Sequence, residues 1–208
     1  SRMLFQRLQE TSGVDVIFGH RVTDVDVYDG QATVGTATPG GVRRFRARYL
    51  IGADGGSSSV RRALGIRFQG MTYPERYLTL FTPFDFPSHL PDFASVTYVA
   101  DSKEWVIMLR SPDLWRVLFP IPPGESDEEA LTDERIQSRL QGVVATAEPY
   151  PIVHRRVYKV HQRVAAAYRK GPVLLAGDAA HVNSPMGGMG LNGGIHDAVS
   201  LSEKLSRL

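Results

Sequence analysis

The chain has no cysteine and only two tryptophans in 208 residues. The missing thiols exclude disulfides, thiolate catalysis and zinc–thiolate centres from this polypeptide. Long apolar runs are missing too, since none approaches the roughly 18 residues that a membrane-spanning helix needs. No leader peptide is visible, and a cytoplasmic setting is the expectation. Nor is there an excess of one charge. Lys and Arg number 24 against 22 Asp and Glu, a net charge of +2, which suits an anionic small ligand without demanding nucleic acid. The densest basic run, Arg43 to Arg48, alternates into Tyr49-Leu50-Ile51 and reads as the polar face of a strand. His154, His161 and His196 lack ligand-like spacing, so no metal is expected. Repeats and low-complexity tracts are absent as well. With 42% hydrophobic and 22% charged residues, the chain has the means for an ordinary globular core.

What is present is concentrated in two stretches. Val173-Leu174-Leu175-Ala176 has the length and flanks of a buried strand. Gly177-Asp178-Ala179-Ala180-His181 follows, then Pro185 and the run from Gly187 to Gly194. Leu191, Ile195, Ala198, Leu201, Leu205 and Leu208 then recur at helical spacing. The order is strand, acidic turn, glycine loop, helix. A carboxylate at a strand end can accept from sugar hydroxyls, and bare N–H groups at a helix N-terminus can hold negative charge. Gly188 to Gly193 formally matches G-x-G-x-x-G. It is not a dinucleotide fingerprint, because such a fingerprint follows its strand directly and leads to a second strand.

The second stretch, Tyr49-Leu50-Ile51-Gly52-Ala53-Asp54-Gly55, is again an apolar run ending in an acidic turn. A helix start follows, with Ser57 or Ser58 as its N-cap. Arg61 in the first turns gains nothing from the helix dipole, so an anionic neighbour such as a phosphate is expected beside it.

Together the two stretches resemble the flavoprotein monooxygenases of the aromatic-hydroxylase type, the group similar to para-hydroxybenzoate hydroxylase. The resemblance implies FAD as cofactor, NADH or NADPH as co-substrate, and hydroxylation of a phenol-like aromatic through a flavin C4a-hydroperoxide. Asp54, Gly55, Ser58 and Arg61 match the motif near the FAD pyrophosphate. Gly177 and Asp178 match the motif whose aspartate binds the ribityl chain. Pro185 then lies beside the flavin ring, and Gly188, Gly190, Leu191 and Asn192 bring backbone to its pyrimidine edge. Arg2 matches an arginine that approaches the pyrophosphate. Asp54 and Asp178 are expected to converge on one cleft. The family's opening βαβ unit has no counterpart here, so the chain reads as a piece of a longer protein. The alternatives are another FAD-dependent reaction, a halogenase or a reductase, or a non-catalytic fragment.

The expected fold is mixed α/β: an incomplete FAD-binding domain (residues 1–66 and 162–208) with an inserted antiparallel-sheet substrate domain (67–161). Residues 1–10 read as a helix. Val14–Phe18, Val22–Val27 and Ala32–Gly35 read as strands of a meander, with Asp29-Gly30 as a hairpin turn. Four β runs fall between Tyr77 and Phe119, and Val153–Val160 makes another. Ser126 to Glu129 is a capping-box pattern, and Arg163–Arg169 reads as a short helix. Tyr73, Tyr77, His89, Tyr98 and Arg110 are candidates to orient a small aromatic substrate, with no catalytic base assigned. His181 is expected to make a structural hydrogen bond.

Overall fold

The computed structural model describes residues 2–90, 92–102, 104–185 and 188–208; Gly187 of the glycine run lies outside them. The chain forms two compact units, Ser1–Gly70 with Gln162–Leu208, and Met71–His161. In chain order the elements are α1 (Arg2–Glu10), β1 (Arg21–Tyr28), β2 (Gln31–Thr38), β3 (Gly41–Ala47), β4 (Leu50–Gly52), α2 (Ser59–Ala63) and β5 (Phe68–Thr82). Then come β6 (Val96–Val99), β7 (Val106–Arg110), β8 (Trp115–Ile121), α3 (Asp127–Ala130) and α4 (Asp133–Val143). The last are β9 (His154–Ala165), β10 (Arg169–Lys170), β11 (Val173–Leu175), β12 (His181–Val182) and α5 (Met189–Leu205). Single 3₁₀ turns occupy Phe86–Ser88 and Gly177–Ala179.

In the first unit, β1, β2 and β3 make an antiparallel meander. Asp29 and Gly30 both have positive φ (49° and 70°), as a two-residue hairpin that follows strand twist requires. The meander begins one strand later than expected. Val14–Phe18 is not a strand, and Val14, Val16, Ile17 and Phe18 are exposed, with the Phe18 ring tilted against that of Phe5. The third partner is instead β3, whose register with β2 runs from Ala32↔Ala47 to Thr38↔Gly41. A second sheet, in the order β10-β11-β4, pairs β4 parallel with β11. Val60 of α2 and Leu64 just after it pack with Val25, Ala32, Val173 and Leu175 into one core. A Cβ at Gly52 would lie 2.8 Å from Val60 Cγ1, so the bare glycine is what lets α2 sit on β4.

Arg163–Arg169 is not a helix. Its backbone is claimed by strand pairing instead: Val164 faces His181 and Arg163 faces Val182 across β9 and β12, and Ala165 N–H donates to the Ala180 carbonyl at 2.7 Å.

In the second unit, antiparallel strands lie in the order β5-β8-β7-β6. Alternate residues Leu78 and Leu80, Val117 and Phe119, and Val106 and Met108 pack with Ala130, Ile136 and Leu140 of α3 and α4. Ser126 and Glu129 close a reciprocal capping box on α3, and Thr132 caps α4. Tyr150 donates to the Val144 carbonyl at 2.5 Å, and burial pushes its hydroxyl up to about 12. Among the described residues no helix is long and apolar enough to cross a membrane.

Candidate functional site

Because β4 and β11 are parallel neighbours, with Ile51 opposite Leu174 and Gly52 opposite Leu175, the acidic turns leave adjacent strand ends on the same side. The C-terminal ends of parallel strands are where such sheets place ligands.

In the first turn, Asp54 faces α2. Its carboxylate accepts from the Ser58 hydroxyl at 2.5 Å and from the N–H groups of Ser59 and Val60 at 2.7 and 3.1 Å. Ser58 Oγ in turn accepts from Arg61 N–H at 2.9 Å, so Ser58 is the N-cap. Burial alone would raise the Asp54 pKa. The hydrogen bonds from Ser58, Val60 and Ser59 outweigh it and hold the carboxyl below its ordinary value. Gly55, at φ +82°, makes the bend between them.

Arg61 is buried. It donates to the carbonyls of Gly56 at 2.6 Å and Ala179 at 2.8 Å, and its guanidinium lies 3.7 Å from the centre of the Phe68 ring. The charge expected to meet a phosphate is therefore taken up inside the protein, where it ties one acidic turn to the other.

The second turn is open. Gly177 adopts φ +59°, and Asp178 is exposed with no hydrogen-bond or ion-pair partner among the described residues. Asp178, Gly177, Pro185, Gly188, Gly190 and Leu191 line one cleft of about 690 Å³, together with Val182, Asn183 and the α5 residues Gly194, Ile195 and Ala198. Asp54 is not among these lining residues, so the two turns adjoin while only the second faces the cleft. Gly188, at φ +63°, begins α5 without a side-chain cap. The first N–H groups of α5 thus have no intrahelical partner and carry the positive end of the helix dipole. Asn192 does not reach the cleft lining; its side-chain amide donates to the Gly188 carbonyl at 3.2 Å. Arg2 stands exposed at the start of α1 and also lies outside the lining.

Three of the five candidates in the second unit lie against aromatic rings. Tyr77 stacks on Tyr158 at 5.6 Å, and burial with the nearby Glu75 pushes its hydroxyl up. His89 packs on Phe84 at 4.8 Å, and Arg110 lies 5.1 Å from the Trp115 ring centre. Tyr98 is exposed, and Tyr73 is half-buried.

One residue to which no separate role was assigned stands behind the cleft. Asp197 on α5 accepts from the Gly177 N–H at 2.8 Å and lies 2.9 Å from His181 Nε2. His181 thus makes a structural hydrogen bond. In the sequence Asp197 closes the stretch, opening at Gly177-Asp178, that resembles the family's second motif.

An exposed carboxylate at a parallel strand end, beside an uncapped helix start, defines a mixed α/β protein of the kind that holds a nucleotide cofactor. The chain belongs to the FAD binding domain family, with a match over residues 1–208. It is 41% identical to the para-nitrophenol 4-monooxygenase of Pseudomonas sp. (strain WBC-3), over 99% of this chain and 51% of that protein. The crystal structure of p-nitrophenol 4-monooxygenase from Pseudomonas putida DLL-E4 superposes with a TM-score of 0.86 at 34% identity, covering 97% of this chain and 51% of that one. A ternary complex of aklavinone-11 hydroxylase with FAD and aklavinone gives a TM-score of 0.82 at 28% identity, over 93% and 38% of the two chains. The chain therefore spans about half the length of the para-nitrophenol 4-monooxygenase it matches.

Proposed function

We propose that this chain is the flavin-facing part of an FAD-dependent monooxygenase, an oxidoreductase that hydroxylates a small phenol-like aromatic with NADH or NADPH and O₂. The observation that carries the reading is the unpaired Asp178 carboxylate and the uncapped α5 N-terminus lining one cleft. These residues fit FAD. Asp178 would accept from the ribityl hydroxyls, Pro185 would pack beside the ring, and the N–H groups of Gly190 and Leu191 would meet its electron-rich pyrimidine edge. Each helix-terminus interaction of this kind is worth about 0.3–1 kcal/mol exposed and up to about 2 when partly buried. FAD, when bound, supplies the redox and oxygen chemistry; the protein holds, orients and excludes water.

The names of the relatives support an aromatic substrate. In this reading residues 1–66 and 162–208 are the cofactor side, and the antiparallel sheet within 67–161 is the substrate side. Arg61 and Asp54 serve the cofactor indirectly, by fixing the first turn against the second.

The test is the Asp178→Ala variant of the intact protein. Flavin retained on purification should fall at least tenfold, about 1.4 kcal/mol of binding; unchanged FAD affinity removes Asp178 from the site. Aromatic-stimulated NAD(P)H oxidation with mass-detected oxygen insertion tests the reaction itself. Oxidation of NAD(P)H without an oxygenated product would transfer the chain to the reductase alternative.

A further inference from the structure

We propose that Asp197 is the positioning residue of this cleft: its carboxylate sets the Asp178 bend against the N-terminus of α5. The purpose of the device rests on the flavin reading above, while its existence rests on geometry. A single oxygen, Oδ2, accepts from the Gly177 N–H at 2.8 Å and lies 2.9 Å from His181 Nε2. With a carboxylate as partner, Nε2 carries the proton and donates it. Gly177 directly precedes Asp178, and His181 follows it by three residues. One atom on α5 therefore grips both ends of the bend that presents the Asp178 carboxylate.

The grip is sheltered, with side-chain exposures of 14% for His181 and 22% for Asp197. Charge-assisted hydrogen bonds of this kind are the strong ones. Tyr168 stacks on the His181 ring at 6.1 Å, and burial with the Asp197 charge pushes the tyrosine hydroxyl up. Gly193 of α5 makes room for the joint: a Cβ there would come within 3.1 Å of His181 Cε1. Apolar packing offers no substitute, since α5 has no buried residue. Asp197 itself lines a separate depression with Tyr168, His196 and Lys204, so it acts on the cleft only through the bend.

The experiment has an arm without flavin and an arm with it. Without flavin, Asp197→Ala should speed amide exchange at Gly177 by at least about tenfold and abolish the hydrogen-bonded His181 Nε2 proton signal. Leu80 and Met108, in the other unit, should keep their exchange rates. Asp197→Asn retains an oxygen acceptor and should return Gly177 to within about threefold of its original protection. Unchanged Gly177 protection in Asp197→Ala overturns the joint. If that variant does not fold, the unaltered protein decides: a His181 Nε2 proton that exchanges with solvent as fast as a free imidazole's overturns the joint. With flavin, Asp197→Ala in the intact protein should weaken FAD binding about tenfold and move the bound-flavin absorbance toward that of free FAD, with Asn restoring both. Loss of Gly177 protection with flavin affinity and spectrum unchanged overturns the positioning role. Should the unaltered protein take up no FAD, the flavin reading fails, and the exchange arm still decides the joint.

Discussion

In residues 71–161 the sheet and α4 bury Leu78, Leu80, Met108, Phe119, Ile136 and Leu140 completely, whereas neither α1 nor α5 of the other unit buries a single residue. Leu191, Ile195 and Val199 of α5 stand 78%, 54% and 52% exposed on the very helix that borders the cleft. The first situation is governed by non-directional apolar burial, about 1.5–3 kcal/mol for each fully buried large side chain. The second is governed by directional contacts: Arg61 to two carbonyls, Asp197 to an amide and an imidazole, and glycines that let backbone meet backbone. The open side of a cleft cannot be closed by a core: Ala179 and Ala180 anchor the second turn in the apolar core beneath, while a few oriented hydrogen bonds set the exposed side, which makes the cleft-bearing unit the more sensitive to conservative substitutions.

The largest effect expected from that contrast is on the apolar side. Phe119→Ala removes a fully buried ring from the centre of the second unit and should cost about 3–5 kcal/mol in denaturant unfolding. Gly177 amide protection in the other unit should be unaffected under native conditions. A loss under about 1 kcal/mol would mean that this core is far more compliant than its burial implies.

Next comes Arg61→Lys. A lysine keeps the charge but not the planar fork, so it cannot reach the Gly56 and Ala179 carbonyls together. Hydrogen bonds from charged groups are worth about 1.5–3 kcal/mol, and a loss in that range should appear as faster exchange around Ala180 with Phe119 and its neighbours unchanged. An equal loss of protection in both units would dissolve the contrast.

How far these features could be read from the chain depends on the range of the interaction. The Asp29-Gly30 hairpin, the Ser126–Glu129 capping box and the apolar period of the last helix are local, and they appear in the structure as β1–β2, α3 and α5. Val14–Phe18 and Arg163–Arg169 misled because their fate was decided by partners far along the chain. The meander's third strand was supplied by β3, and Ala165 was captured by Ala180. The site divides in the same way. The acidic turns, the glycines and the Ser58 cap are visible as patterns. That Arg61 spends its charge on Ala179, 118 residues away, is not. The resemblance puts Gly177 and Asp197 in one motif, but the hydrogen bonds from Asp197 back to Gly177 and His181 appear only in the fold.

The smallest expected effect tests whether the first turn belongs to the directional class at all. Asp54 is held below its ordinary pKa by hydrogen bonds that outweigh burial, so its charged form stabilises the folded unit. That contribution is fully present above the unfolded value of about 3.9 and fades as pH falls through the lower folded value. Asp54→Asn keeps one oxygen for the Ser59 and Val60 amides but loses the charge and the second oxygen, which accepts from the Ser58 hydroxyl. It should therefore cost about 1 kcal/mol, within the range of an altered helix cap. The difference between the two proteins should be constant above about pH 5 and shrink steadily below about pH 4, measured by unfolding at each pH. A difference that stays level down to about pH 2 would show that Asp54 holds α2 by shape alone.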